Sequence, residues 1–252
     1  MYGMKPLTDN TDIGKRGAGG LVEHLHTQVA RIRYDCDQIM ASGNRGASNI
    51  KKVISLMREG ETVDQQYFEW FQALPVEWQY RTVGWNDVAK EDLEASFVCP
   101  GKADKYLENW FVHLYNLCRA SRLLLASTSV RCAAWLCAPE DYKATPEYAR
   151  AVNLGRELIE DIVASIPCVL LGSKDDESNS GGYLYGFPCG TDDATSGKGL
   201  AGLSMLWPMY AVFSSDFATD TQRRWIHGRL KYVGDYMGIS KAKSLADVRI
   251  LM

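Results

Sequence analysis

The chain has 252 residues and a net charge of −3, with seven cysteines, thirteen tyrosines and seven tryptophans. That length sits near the upper limit for one hydrophobic core, and 46% hydrophobic residues argue against disorder. A slightly acidic balance without any run of Lys or Arg argues against direct nucleic-acid binding.

No segment approaches the roughly 20 uncharged apolar residues of a bilayer span, and the N-terminus lacks a signal-peptide core. The expected setting is intracellular and cytoplasmic, without a membrane. Cys36, Cys99, Cys118, Cys132, Cys137, Cys168 and Cys189 form no C-x-x-C pair, which fits reduced thiols better than a disulfide framework or a zinc ribbon.

In chain order, Leu21, Leu25, Val29, Ile32, Cys36 and Ile39 predict a helix over Leu21 to Met40, after flexible punctuation at Gly17 to Gly20. A second helix is expected from Ser48 to Arg58 and a third from Asp64 to Leu74, closed by Pro75. From Pro75 to Pro100 the period is lost. VEWQYRTVGW suggests an extended piece and DVAKEDLEASF a short helix.

Ala103 to Cys137 contains no Gly or Pro, which allows a central helix of about 35 residues, or about 50 Å. Apolar residues on all its sides predict that neighbours surround it. Pro146 begins another helix that runs to Pro167. Gly172 to Gly199 reads as a long Gly/Ser/Asp-rich loop, and Leu200 to Ser214 as a helix kinked at Pro208. Thr219 with Gln222 makes a capping box for a helix that Gly238 ends, before a last helix from Ser240 to Ile250. The fold class is therefore all-α, a multi-helix bundle in a single domain over residues 1–252 with one long central helix.

Four blocks carry a family resemblance: FEWFQALPVEWQYRTV (Phe68 to Val83), YLENWFVHLYNLCRASRLLLASTSVRC (Tyr106 to Cys132), ELIEDIVASIP (Glu157 to Pro167) and the segment from Gly202 to Ala246. The last is the most specific, with WP-x-Y followed by QRRWI-x-G-x-L and MGI-x-KA. Together they resemble the C-terminal regulatory region of fungal zinc-cluster transcription factors, over about Gln65 to Ile250. The resemblance implies an all-α bundle and a nuclear regulator that binds small effectors or partners. Family members read DNA through an N-terminal cluster of six cysteines, whereas here Cys36 is the only cysteine before Cys99. DNA reading does not carry over.

Candidate chemistry gathers at three places. His113, beside Trp110 on the central helix, could serve as a general acid or base, or simply as a core histidine with one hydrogen bond. Arg119 and Arg122, three apart, could hold a phenolate or carboxylate, or anchor the helix to a neighbouring acidic group. Trp207 and Tyr210, with Trp225 and His227, could wall an aromatic cavity closed by the loop around Tyr183, Tyr185 and Phe187, or be plain core. His24 and His26 face different ways and read as surface residues. No metal and no cofactor is expected.

Two functions follow. The first is a cofactor-independent cyclase or isomerase of fungal secondary metabolism, acting on an aromatic or polyketide-like metabolite. His113, His227 and Tyr210 would be its acid/base groups, and Trp110, Arg119, Arg122, Tyr183, Trp207 and Trp225 its substrate contacts. The alternative is a metabolite-sensing regulator working through a DNA-binding partner. The missing DNA reader tips the expectation toward the enzyme. The expected partner is a small aromatic or apolar metabolite, and the assembly is either a monomer or a homodimer.

Overall fold

The computed structural model describes residues 8–107, 109–171 and 194–248. Among them are seven α-helices and one two-stranded sheet. The mostly helical fold is as expected, and the element boundaries correct the sequence reading in several places.

Helix α1 covers Thr8–Ala41. Gly17 to Gly20 lie inside it rather than punctuating it. Its buried face is Val22, Leu25, Val29, Ile32 and Cys36, while Leu21 is 45% exposed. Helix α2 runs unbroken over Ala47–Ala73, replacing the two helices expected there. Val53, Leu56, Gly60, Val63, Tyr67 and Trp70 are all buried. That three-and-four spacing passes straight through Gly60, so burial of one continuous stripe outweighs the poor helix propensity of glycine.

The region after Pro75 holds β1, Arg81–Asn86, paired antiparallel with β2, Gly101–Lys105, and a bulge falls between Thr82 and Gly84. DVAKEDLEASF contributes one 3-10 turn, Lys90–Asp92, instead of a helix. The central helix is correspondingly shorter than expected: α3 spans Asn109–Cys137, 29 residues. Residues 101–105 are taken by the hairpin, because pairing with β1 and burial of Asp104 opposite Thr82 satisfy them better than another helical turn.

Helix α3 packs against α1, α2, α5 (Ala194–Phe213) and α4 (Pro146–Leu171), so it is surrounded as its all-round apolar character requires. Helix α4 continues through Pro167 and α5 through Pro208. Helix α6, Asp220–Asp235, opens on the expected capping box: Thr219 Oγ1 accepts from the Gln222 backbone, and the Thr219 backbone N–H donates to Gln222 Oε1. Helix α7, Ser240–Ala246, closes the described chain. Residues 172–193, including Tyr183, Tyr185, Phe187 and Cys189, lie outside the described residues. No described helix is long and apolar enough to cross a membrane.

Candidate functional site

A cleft of about 440 Å³ opens where the C-terminal end of α2 and the middle turns of α3 and α4 meet the start of β1. Phe68, Phe71 and Gln72 come from α2, Tyr115, Arg119 and Arg122 from α3, and Leu158 and Asp161 from α4. Gln79, Tyr80 and Thr82 close the remaining side. The volume lies within the range of small-molecule sites.

Its floor is Arg119, only 2% exposed. Nη1 donates to the Tyr106 hydroxyl at 2.6 Å and to Asn116 Oδ1 at 3.2 Å, and Nη2 lies 3.3 Å from Asp161 Oδ2. The guanidinium carbon sits 4.9 Å from the Tyr80 ring centroid, 5.2 Å from that of Tyr115 and 5.9 Å from that of Tyr106. Electron-rich ring faces replace the water that burial removes. Burial opposes the charged form, but Tyr106, Asp161 and Tyr80 outweigh it and hold Arg119 above its ordinary pKa.

Asp161 is shared. Lys102 Nζ donates to its Oδ1 at 2.5 Å, and the Tyr80 hydroxyl reaches Oδ2 at 3.5 Å. Lys102 loses solvation by burial, yet its hydrogen bond to Asp161 carries its pKa upward. Asp104, 3% exposed, accepts from Thr82 Oγ1 at 2.7 Å and lies 3.7 Å from Lys102. On the other side Arg122 grips Asp64 with two bonds, Nε to Oδ1 at 2.7 Å and Nη2 to Oδ2 at 3.1 Å. Burial pushes the Tyr115 phenol up to about 12 and that of Tyr106 well above its ordinary range, against the pull of Arg119. Both rings therefore present neutral hydroxyls at neutral pH.

The count of charges decides what the cleft can accept. Lys102, Arg119 and Arg122 are matched by Asp64, Asp104 and Asp161, each cation on a carboxylate. None of these three cations is left over to neutralise an anionic guest, so an entering anion would have to displace a carboxylate already in place. Among the described residues no three His, Cys, Asp or Glu side chains gather as metal ligands.

The other sequence candidates are dispersed. Trp110 packs edge-on against Trp78, with centroids 6.3 Å apart. Burial lowers the pKa of His113, against a backbone hydrogen bond with Ser204, and its buried Nδ1 meets no partner among the described residues. His227 stacks on Phe213 at 6.0 Å, with Nδ1 3.6 Å from Glu94 Oε2. Trp225 is wholly buried, its indole N–H donating to the Ser96 carbonyl at 3.1 Å, whereas Trp207, 6.3 Å from Tyr210, is 41% exposed. The two indoles thus differ in exposure, and Tyr183 is outside the described residues. His26 is half-buried with Nδ1 3.2 Å from the Tyr67 hydroxyl, not a solvated surface residue.

Of the eight named candidates among the described residues, only Arg119 and Arg122 line the cleft. Tyr80, Tyr115, Lys102 and Asp161 were missed. Asp161 could have been found as the carboxylate that directly precedes the apolar run IVASIP. Tyr80 and Lys102 carry no comparable signal, since only the hairpin brings them to α4.

Compared with known proteins, the chain is 25% identical over 196 residues to the transcription factor dbaG of Emericella nidulans, covering 77% of this chain and 44% of that relative. The chain spans less than half the length of the curated relative it matches. No family model and no solved structure matches. Similarity to a transcription factor overturns the cyclase or isomerase expectation. His113, His227 and Tyr210 line neither of the two clefts described for this molecule.

Proposed function

We propose that this chain is a regulator of transcription, and that it senses a planar, neutral, hydroxylated aromatic metabolite in the Arg119 cleft. The alignment over 196 residues with a transcription factor carries the regulatory reading. The choice of effector rests on the cleft: aromatic faces at Phe71, Tyr80 and Tyr115 suit a flat ring, and polar groups at Gln72, Gln79 and Arg122 suit its hydroxyls. Charge balance favours a neutral guest over an anion.

Contact with DNA on this reading is made outside these 252 residues, whose net charge is −3 and which hold no paired cysteines of zinc-cluster type. The regulator works in the nucleus on this reading. The test fuses the chain to an unrelated DNA-binding domain upstream of a reporter gene. Reporter output should differ several-fold from that of the DNA-binding domain alone, and equal output from a fusion located in the nucleus would overturn the regulatory reading. The effector site is tested separately by thermal unfolding with 2,7-dihydroxynaphthalene and, in parallel, 2-naphthoate. The neutral probe should raise the midpoint and the anion should not; no shift with the neutral probe at millimolar concentration refutes the assignment.

A further inference from the structure

A second cleft, of about 370 Å³, lies between α1, α2, α3 and α4, and two thiols form part of its wall. Cys36 of α1 and Cys132 of α3 are 96 positions apart in sequence, with sulfurs 3.6 Å apart, and the Cys132 S–H points at Cys36 Sγ. Both residues are almost fully buried, at 1% and 0% exposed, so the cleft is their route to small reagents. Apolar neighbours Ile32, Leu56, Leu125 and Leu154 line the same cleft beside Glu61, Asp64, Glu147 and Arg150, an acidic excess that disfavours anionic oxidants and leaves a small uncharged one free to enter.

We infer that Cys36 and Cys132 form a peroxide-responsive dithiol that closes to a disulfide, tying α1 to α3 along the wall of this cleft. The inference stands apart from the effector reading, since neither thiol lines the Arg119 cleft, although Asp64, held by Arg122, also lines the second cleft.

The chemistry assigns a role to each sulfur. The hydrogen bond from Cys132 stabilises the Cys36 thiolate and lowers its pKa, outweighing burial; Asp37 opposes the shift and Arg131 reinforces it. The same bond, with burial, raises Cys132. Cys36 is therefore the attacking thiolate. It takes one oxygen from a hydroperoxide, breaking the O–O bond and releasing the alcohol, or water from hydrogen peroxide, and becomes a sulfenic acid. The Cys132 sulfur, giving up its proton, then attacks the sulfenic sulfur and expels hydroxide, which leaves as water. Overall two thiols and one hydroperoxide give one disulfide, one alcohol and one water, and a reducing dithiol reverses it by exchange. The sulfurs must close by about 1.5 Å to reach bonding distance, within the reach of side-chain rotation and a small helix shift.

The experiment is peptide mapping of the intact reduced protein before and after hydrogen peroxide. The expected result is a Cys36–Cys132 cross-linked peptide, with the loss of two hydrogens in mass, restored by dithiothreitol. Cys132→Ser should instead trap a dimedone-reactive sulfenic acid on Cys36. Recovery of Cys36 and Cys132 as free thiols, or as separate sulfinic acids, at a dose that oxidises the half-buried Cys137 would overturn the inference. The wild-type map decides even if the variant does not fold.

Discussion

Replacing Arg119 by Leu tests whether the buried cation organises the cleft. The change strands the wholly buried Tyr106 hydroxyl and Asn116 Oδ1, which accept from Nη1 at 2.6 and 3.2 Å. Each stranded buried acceptor costs ~1–3 kcal/mol. Asp161 keeps Lys102 and is 24% exposed, so its share is discounted to at most ~1 kcal/mol. The sum is about 2–7 kcal/mol, which brackets the ~3–5 kcal/mol of other buried pairs that lose one member. At ~2–4 °C per kcal/mol for a domain near this size, a loss of ~3–5 kcal/mol should lower the thermal midpoint by roughly 6–20 °C. The decisive assay is a double-mutant cycle with Lys102→Met, read by urea unfolding. Either single variant leaves Asp161 one cation, whereas the double variant leaves none. The double loss should therefore exceed the sum of the singles by ~0.5–3 kcal/mol. An additive cycle, or a loss under ~1 kcal/mol for Arg119→Leu alone, would refute the shared-carboxylate reasoning.

Two further outcomes follow from packing and titration. A Cβ on Gly228 would lie 2.1 Å from the Glu94 carbonyl oxygen, so Gly228→Ala must push α6 away from the segment that Trp225 and Arg229 bond. Urea unfolding should show a loss of about 3 kcal/mol, and wild-type stability would contradict the close approach. His113 is held neutral by burial, its folded pKa below the unfolded value of 6.5. The unfolded chain then binds the proton first, so stability is full above about pH 7 and declines as pH falls through 6.5, levelling off below the folded pKa. His113→Met should flatten that decline in a pH series of melting midpoints; an unchanged slope would assign the titration to another group.

The helices were written in the amino-acid order because their apolar residues recur at three and four along one face, as in Val53 to Trp70 of α2. Capping chemistry likewise marked the start of α6 at Thr219. Their joins were less legible. Glycines at 17, 19, 20 and 60 look like breaks locally; at Gly60 burial of a continuous stripe decides the matter, and burial belongs to the folded molecule.

Residues 101–105 show the opposite outcome. They lack Gly or Pro after position 101 and could extend α3, yet they pair with β1 because Asp104 and Lys102 find Thr82 and Asp161 there. The sequence alone established the helical class, the central helix and the Arg119–Arg122 pair, since each follows from spacing within one element. The cleft itself, with Tyr80 and Lys102 brought to Asp161 across dozens of positions, exists only in three dimensions. Charge neutrality between residues so far apart is a property of distance in space, which no local pattern encodes.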